Sequence, residues 1–392
     1  MREMNMQVKI TEKIKYIGVD DLDLDLFESR YVVPEGVSYN SYVILDEKVA
    51  VMDTVDKRKM QEWEEKLLSE LNGRKVDYLV VHHVEPDHAG SVYRLLELFP
   101  EMILVGNQKT FLFLGQFFDA DLEGRKLVVK EGDVLSMGEH ELTFYMATMV
   151  HWPEVMVSYE SKEKILFSAD GFGKFGALSV TENGDWACEA RRYYFNIVGK
   201  YGVAVQALLK KLSGLEPAVI CPLHGPVLKG DLKQYVHLYD IWSSYEPEDN
   251  GVLVAYASIH GNTATAAEKI AELLRARGVE NVVVTDLARA DMAEAIEDAF
   301  RYDRMVLAAA SYDASVFPCM REFLLSLQGK NYQKRKVGII ENGTWSPSAG
   351  RTMQGILEQM KNVEIVEPTV TIYSTMKEED ILELEKLADA MC

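Results

Sequence analysis

The second half of this chain alternates apolar strand segments with helical segments, and this pattern limits the possible fold more than any other feature. The alternation begins after a polar run, 246–251, that contains the helix-breaking Pro247. Strands are predicted at 252–258, 282–285, 304–310, 336–340 and within 363–372, with helices at 263–277, at 378–391 and between the strands. Such an alternation predicts an α/β fold with a doubly wound parallel sheet.

The first half has a different pattern, in which short strand segments come in clusters. They are predicted at 42–45, 49–53, 78–82, 103–105, 127–130, 141–146 and 164–168. A helix at 60–71 would place Trp63 and Leu67 on one apolar face. We therefore expect an α+β domain with sheets inside and helices outside. At 392 residues the chain can build two cores, and the predicted domain bounds are 1–248 and 251–392.

The strongest chemical signal is the segment 78–90, where an apolar strand runs into a loop with the pattern H-x-E-x-D-H. Side chains two residues apart on an extended segment point the same way, so His83, Glu85 and Asp87 can converge. His88 follows at the start of the next helix. One cation cannot easily use four ligands from one short loop. The segment therefore predicts two neighbouring cations.

Three further candidate ligands each follow a predicted strand, beside a loop marked by Gly or Pro: His151, Asp170 and His224. Together with the loop they make four imidazoles and three carboxylates, which suits two metal ions that share one carboxylate. A single His at a strand end is more often a hydrogen-bonded structural residue. We assign that role to the remaining candidates, His82, His140 and His237.

This pattern resembles the metallo-β-lactamase superfamily, whose αββα domains usually carry H-x-H-x-D-H. Glu85 stands here in place of the second His. A carboxylate adds negative charge and a hard oxygen donor. That change favours a pair of iron ions with mixed nitrogen and oxygen ligands over the His-rich zinc pair of the hydrolases.

The loop after the first strand of the second half opens a helix with hydroxyls and backbone N–H groups that suit a phosphate. It has no GK[ST] sequence, which argues against ATP or GTP with magnesium, and it lacks the three glycines of a dinucleotide fingerprint. Loops after the third and fourth strands rise on the same edge, where Tyr312 and Trp345 can cover a flat ring. The arrangement resembles a flavodoxin-type FMN domain, although Ser258 stands where flavodoxins commonly have Thr. The candidate FMN contacts are Ser258, Ile259, His260, Gly261, Asn262, Thr263, Ser311, Tyr312, Asp313, Ala314, Asn342, Gly343, Thr344 and Trp345.

Together the two halves resemble the flavodiiron proteins, also called A-type flavoproteins, over essentially the whole chain. The metal loop, Asp170 in SADGFGKFGAL, the stretch EARRYYFNIVGKYG and the flavodoxin-like half carry the resemblance. It implies FMN and two non-haem iron ions as cofactors, and reduction of dioxygen to water, of nitric oxide to nitrous oxide, or of both. It also implies a ligand set: His83, Glu85 and His151 for the iron nearer the flavin, Asp87, His88 and His224 for the other, and Asp170 as the bridge.

The resemblance also implies partners. A reduced flavin carries two electrons and a diferrous pair two more, which together match the four that dioxygen requires. The chain has no module of four cysteines for a further iron, so we expect a separate electron donor, rubredoxin first and a reduced deazaflavin in some relatives. The family places one chain's flavin beside the other chain's irons in a head-to-tail homodimer, and a tetramer is a further option.

Composition narrows the list of partners. The chain has 62 acidic and 42 basic residues, a formal net charge of −20, which repels phosphate backbones and anionic lipid. Its apolar stretches have strand length, and the N-terminus scatters charges where a signal peptide needs an apolar run. The four cysteines lie far apart without a CxxC pair. We therefore expect a cytoplasmic protein with no nucleic acid and no membrane partner.

Two other functions fit part of the pattern. A zinc hydrolase acting on a thioester or lactam would use the metal loop, with a regulatory flavin domain, but Glu85 and the flavin loops argue against it. An electron carrier or redox sensor would use the second domain alone, and the complete ligand set argues against that function. Metal analysis and a thioester assay test the first alternative. Full gas turnover in a Glu85→Ala or His224→Ala variant would support the second.

Overall fold

A computed structural model describes residues 10–119, 122–181 and 186–392. This part of the chain divides into two compact units. The first contains residues up to Tyr194 together with Val203–Tyr239, and the second contains Phe195–Gly202 and Asp240–Cys392. These units differ from the predicted division because 195–202 and 240–248 group with the second unit. The domain bounds 1–248 and 251–392 remain a prediction.

Two six-stranded sheets form the centre of the first unit. One sheet is mixed: its first three strands in spatial order pair antiparallel, and the pairs that follow are parallel. The other is antiparallel apart from the parallel pair Ile165–Phe167 and Val219–Cys221. In spatial order the first sheet contains Ile14–Tyr16, Tyr42–Leu45, Val49–Met52, Tyr78–Val80, Ile103–Gly106 and Lys126–Val128. The second contains Val134–Ser136, Glu141–Met146, Met156–Glu160, Ile165–Phe167, Val219–Cys221 and Leu228–Lys229.

The apolar faces of these two sheets share one buried core, to which Met52 and Val80 contribute from the first sheet and Phe144 and Phe167 from the second. The core follows from alternation, since Leu142 and Phe144 are buried, whereas Glu141 is exposed and Thr143 is half-buried. Short two-stranded ribbons pair Val19–Asp21 with Val37–Tyr39 and Leu26–Phe27 with Tyr31–Val32. In the described residues up to Ser244, whichever unit they belong to, the α-helices are Met60–Leu71, Pro86–Ala89, Val92–Leu98, Gln108–Phe117, Trp186–Tyr193, Gly202–Leu212 and Lys233–Ser244, and shorter helical segments are Lys57–Lys59, Tyr194–Val198 and Gly199–Tyr201.

The second unit is built on a parallel sheet with the strand order of a doubly wound flavodoxin-like fold. In spatial order its strands are Val282–Asp286, Asp249–Ala257, Tyr302–Tyr312, Arg335–Asn342 and Val363–Ile372, and Ser315–Val316 adds a short antiparallel pair. Its helices are Asn262–Ala276, Met292–Arg301, Pro318–Gly329, Ala349–Leu357 and Glu378–Met391. Central strands such as Tyr302–Tyr312 are buried over most of their length, because helices cover both faces of such a sheet.

The predicted fold class is confirmed for both halves. Most predicted strands lie within one to three residues of their observed ends, as expected where a run of apolar residues ends at a turn. The strand Met156–Glu160 was not predicted. Its residues Met156, Val157 and Ser158 are all buried, so both faces of the strand are covered at this point. The sequence MVSYE therefore lacks the regular alternation of polar and apolar residues that marks a strand.

Candidate functional sites

The predicted metal loop follows the strand Tyr78–Val80, which is central in its sheet. The chain leaves the strand through His82 and His83 and enters the short helix Pro86–Ala89, which carries Asp87 and His88. Gly90 ends this turn because a β-carbon there would lie 2.4 Å from the carbonyl oxygen of Pro86 and 2.9 Å from the backbone nitrogen of Lys57. The tight turn holds the loop against the neighbouring segment and directs its ionisable side chains inward.

One group of candidate ligands consists of His83, Glu85, His151 and Asp170. Nε2 of His83 lies 3.2 Å from Oε2 of Glu85 and 3.3 Å from Oδ2 of Asp170. Nε2 of His151 lies 3.1 Å from the same oxygen of Glu85 and 3.2 Å from the same oxygen of Asp170. Four side chains from three loops therefore converge on one point.

The second group consists of Asp87, His88 and His224, with the other oxygen of Asp170 beside it. Nε2 of His88 lies 3.3 Å from Oδ2 of Asp87 and 3.2 Å from Oδ1 of Asp170. Nε2 of His224 lies 3.2 Å from Oδ2 of Asp87 and 3.7 Å from Oδ1 of Asp170. The two carboxylate oxygens of Asp170 thus face different groups, which is the placement required of a bridge.

The chemistry of these side chains fits a pair of metal ions. Both carboxylate oxygens of Asp87 and Asp170, and Nε2 of His88 and His224, are buried without a hydrogen bond to any described residue, although they lie close together. Buried polar atoms usually have a partner, so a cluster of this kind is typical of side chains that bind a cation. Metal–ligand bonds of about 2.0–2.2 Å separate neighbouring ligand atoms by about 3 Å, which matches the distances in both groups.

Electrostatics in the cluster favours a cation as well. Burial lowers the pKa of His83, but the carboxylates of Asp170, Glu154 and Glu85 raise it well above its usual value. Burial also lowers the pKa of His151, and the neighbouring carboxylates of Asp170 and Glu85 raise it to about 9. The same carboxylates that attract protons here would attract metal ions, with which protons compete for these nitrogens.

Two outer partners orient the imidazoles, and sequence patterns did not predict either. Glu154 is fully buried and accepts a hydrogen bond from Nδ1 of His83 at 2.7 Å. The backbone carbonyl of Ser38 accepts from Nδ1 of His224 at 2.8 Å. Such bonds leave Nε2 to face the metal and hold the ring in place. The only signal in the sequence for such a role of Glu154 was its position three residues after His151.

The predicted structural role is confirmed for two histidines. The ring of His82 lies between Oδ2 of Asp53 at 2.6 Å and the hydroxyl of Ser158 at 2.8 Å. The ring of His140 is bonded to Asp46 at 2.8 Å. His237 is exposed on the helix Lys233–Ser244.

A groove of about 240 Å³ reaches the second ligand group, and its lining includes Glu28, Tyr39, Glu85 and Asp87. Partial burial and the negative charges of Glu85 and Asp87 raise the pKa of Glu28 to about 7. The sequence offered no reason to select Glu28, because its loop lies more than fifty residues from the metal loop.

Aromatic rings also surround the candidate ligands. Trp152 makes an edge contact with His83 at a ring distance of 5.2 Å, and Tyr193 lies 5.5 Å from the ring of His224. Tyr194 instead packs on Tyr239 at 5.1 Å. Of these three residues, Trp152 and Tyr193 therefore contact candidate ligands, as does Phe27, whose ring lies 5.4 Å from that of His224.

In the second unit, a cavity of about 560 Å³ lies where the loops follow the parallel strands Asp249–Ala257, Tyr302–Tyr312 and Arg335–Asn342. Every predicted FMN contact lines it except Gly261. Gly261 has φ of +92° at the start of the helix Asn262–Ala276, a conformation that other residues adopt at a cost. The lining residues that sequence patterns did not predict are Ala310, Ser346, Ser348 and Ser374.

This cavity fits a phosphate and a flat ring. The first turn of the helix Asn262–Ala276 offers backbone N–H groups beside the Ser258 and Thr263 side chains, which suits a phosphate. Trp345 is 81% exposed and Tyr312 is 44% exposed, which leaves two aromatic faces open at the rim. A volume of this size falls within the range of cofactor sites, about 300–1,000 Å³. The site therefore has the form expected for FMN.

Comparisons with known proteins match both units. The model of the ODP family beta lactamase matches residues 37–225, and that of the flavodoxin domain matches 253–370. None of the helices in the described ranges is both long enough and apolar enough to cross a membrane.

Relatives extend this match over nearly the whole chain. The chain is 30% identical over 327 residues to MJ0732 of Methanocaldococcus jannaschii, an uncharacterized protein, with 81% of each covered. It is 28% identical to a nitric oxide reductase of Moorella thermoacetica, with 96% of each covered. The structure superposes on rubredoxin oxygen:oxidoreductase from Desulfovibrio gigas with a TM-score of 0.91 at 26% identity, covering 98% of both chains. Because the two family models match in this order and such relatives align almost end to end, the chain belongs to the flavodiiron proteins.

Proposed function

We propose that this protein is a flavodiiron reductase that converts dioxygen to water, nitric oxide to nitrous oxide, or both. The observation that carries the proposal is the pair of ligand groups that face different oxygens of Asp170, in a chain that also has an FMN-sized cavity on a doubly wound sheet. The names of two relatives support it, since one is called a nitric oxide reductase and the other a rubredoxin oxygen:oxidoreductase.

Seven side chains are assigned as iron ligands. His83, Glu85 and His151 would hold one ion, Asp87, His88 and His224 would hold the other, and the two groups would share Asp170. Mixed imidazole and carboxylate ligands suit iron, and three carboxylates offset much of the charge of two divalent ions. When bound, the two iron ions and FMN supply the electrons and the open coordination positions that reduction of a diatomic gas requires.

The protein's own contribution to this chemistry is position and exclusion of water. His83, His88 and Asp170 are almost completely buried, so bulk water does not reach these ligand atoms directly. Glu154 fixes the orientation of His83, and the ring of Trp152 packs against the same imidazole. Side chains held this firmly need little rearrangement during the reaction, which favours a rapid reaction.

At the flavin edge, the proposed contacts divide by chemistry. Ser258, Asn262 and Thr263 at the helix N-terminus suit the phosphate, and Gly261 provides the turn that places them. Tyr312 and Trp345 suit the two faces of the ring. The remaining proposed contacts are Ile259, His260, Ser311, Asp313, Ala314, Asn342, Gly343 and Thr344.

The same proposal includes an electron donor, an assembly of chains and a location. We expect rubredoxin as the electron donor, a head-to-tail homodimer or a tetramer, and a location in the cytoplasm. The name of the Desulfovibrio gigas protein supports the donor. The domain bounds 1–248 and 251–392 also remain proposals.

The test is anaerobic purification followed by quantification of iron and FMN, and then paired electrode traces for dioxygen and nitric oxide with reduced rubredoxin. We expect two iron ions and one FMN per chain and consumption of at least one gas. A His224→Ala variant should lose iron and gas consumption. A His140→Ala variant is the matched control, because it removes a buried imidazole that lies outside the ligand groups.

The outcomes separate this function from its alternatives. Zinc in place of iron, together with hydrolysis of a thioester, would support a hydrolase. Full gas turnover in His224→Ala would show that the metal groups are not needed. No consumption of either gas by protein that holds iron and FMN would overturn the proposal.

A further inference from the structure

The first unit contains an apolar cavity of about 300 Å³ that is separate from the groove beside Glu28. Its walls are formed mainly by aliphatic side chains from the second sheet and from two helices. They include Val157, Leu166, Ile220, Leu208, Leu209 and Leu212. The proposed cofactor sites do not account for this cavity.

Most polar groups in its walls are already hydrogen-bonded within the protein. The hydroxyl of Ser168 donates to the carbonyl oxygen of Gly171 at 2.6 Å, and that of Ser213 donates to the carbonyl oxygen of Lys210 at 2.8 Å. The hydroxyl of Tyr239 accepts from the backbone nitrogen of Phe172. Water needs two to four polar partners to remain in such a space. The cavity therefore favours an apolar occupant.

The inner wall of the cavity is made by residues next to two metal ligands. Val150 directly precedes His151, and Gly171 and Phe172 directly follow Asp170. Backbone hydrogen bonds hold this turn, from Gly171 to Ser168 at 3.0 Å and from Gly173 to Asp170 at 3.1 Å. In both loops, a residue that lines the cavity is thus the direct neighbour in the chain of a candidate ligand.

The outer part of the cavity approaches the surface. Leu212 and Leu215 are half-buried and Val236 is 38% exposed, whereas Val150, Phe172 and Ile220 at the inner part are buried. Leu212 and Val236 lie on the helices Gly202–Leu212 and Lys233–Ser244. The more exposed lining residues therefore lie on the helices and the loop after Leu212, and the buried ones include the neighbours of His151 and Asp170.

We propose that this cavity takes up an apolar diatomic gas, dioxygen or nitric oxide, and supplies it to the metal cluster. The inference rests on the proposed function, because it assumes that such a gas is the substrate. An apolar cavity of about 150 Å³ in another protein is known to bind xenon, so this one can hold more than one gas molecule. Its apolar walls and limited volume do not suit a charged or large ligand.

Xenon is the probe, because it occupies apolar cavities without reacting. Crystals of the holoenzyme pressurised with xenon should show it in this cavity, and crystals of a Leu209→Trp variant should not. In electrode assays with the gas that the enzyme consumes, Leu209→Trp should raise the apparent KM for the gas about threefold or more with little change in kcat. A Val236→Phe variant fills the cavity from the other helix and should act in the same direction.

The matched control is Val203→Trp, which adds the same side chain to the same helix at a position that is 81% exposed and does not line the cavity. It should leave both xenon binding and the KM unchanged. Iron and FMN contents of each variant verify that the fold is intact.

Absence of xenon from the cavity of the unmodified protein overturns the inference. An unchanged KM in both variants also overturns it, provided that their crystals show no xenon in the cavity. If the unmodified holoenzyme consumes neither gas, the proposed function fails and the supply role fails with it. If it does consume gas and only the KM or xenon result is negative, the proposed function stands and this inference alone is wrong.

Discussion

Glu154 offers a sharp test of how the protein holds one of its two metal groups. Oε1 of this fully buried carboxylate accepts from Nδ1 of His83 at 2.7 Å and from the backbone nitrogen of Val84 at 3.0 Å. A Glu154→Gln substitution keeps the shape and one acceptor oxygen but removes the negative charge. The imidazole of His83 then loses a charge-assisted hydrogen bond and becomes a weaker metal ligand.

The expected magnitude follows from the contact. Removing an outer partner of a metal-bound imidazole typically weakens metal binding by about 10–100-fold. At about 1.4 kcal/mol for each factor of ten, this corresponds to about 1.4–2.8 kcal/mol. The loss should fall on the ion held by His83, Glu85 and His151, because Glu154 contacts no ligand of the other ion among the described contacts. Iron content should therefore approach one ion per chain under mild chelation.

The assay is iron content by elemental analysis after dialysis against increasing concentrations of a chelator. Glu160→Gln is the matched control, because Glu160 is a buried carboxylate that accepts from the backbone nitrogens of Lys162 at 2.9 Å and Glu163 at 2.7 Å. It should change the free energy of unfolding without a selective loss of iron. Unchanged chelator resistance in Glu154→Gln, or equal loss of both ions, would refute the reasoning.

Three further predictions concern other parts of the molecule. Asp170→Asn should reduce iron to less than one ion per chain in elemental analysis, because an amide nitrogen replaces one of the two oxygens that face the ligand groups; retention of two ions would contradict the bridging role. Trp345→Ala should weaken FMN binding about 2- to 12-fold in a fluorescence titration, as expected for loss of about 0.5–1.5 kcal/mol of aromatic contact. Tyr373→Ala is the control and should leave FMN binding unchanged, because this exposed ring does not line the cavity. Burial raises the pKa of Asp46, but its hydrogen bonds from His140 hold it at about 2, below its ordinary value of 3.8. The stabilisation from this lowered pKa is present above about pH 4 and lost as the pH falls through 2, so urea unfolding should show Asp46→Asn less stable than the unmodified protein at pH 5, with a difference that shrinks towards pH 3.

Local patterns in the sequence predicted much of the architecture. The alternation after Gly251 predicted the doubly wound sheet, because each apolar run and each helix is continuous in the chain. The segment that contains His83 and His88 predicted a metal loop, because its side chains lie within a few residues of each other on one strand end. The loops at Tyr312 and Trp345 predicted the flavin edge for the same reason, since parallel strands end at one edge of a sheet.

Other features depended on the tertiary structure. The short distances that join His83 to Asp170 and His88 to His224 connect segments far apart in the chain, and only the folded sheets bring them together. Glu154 was not predicted because a buried carboxylate and an exposed one look alike in a sequence. The apolar cavity could not be predicted either, since its walls come from residues spread between Val150 and Tyr239.

The sequence by itself thus determined which chemical groups the protein has and which local element carries each of them. Local structure depends on neighbouring residues, so spacing and apolar periodicity were sufficient for that purpose. The tertiary structure alone decided how these groups combine: which oxygen of Asp170 faces which ligand group, which carboxylate orients His83, and where the packing leaves a space beside the ligands. These are contacts between distant residues, and their geometry is set by the packing of the two sheets and their helices.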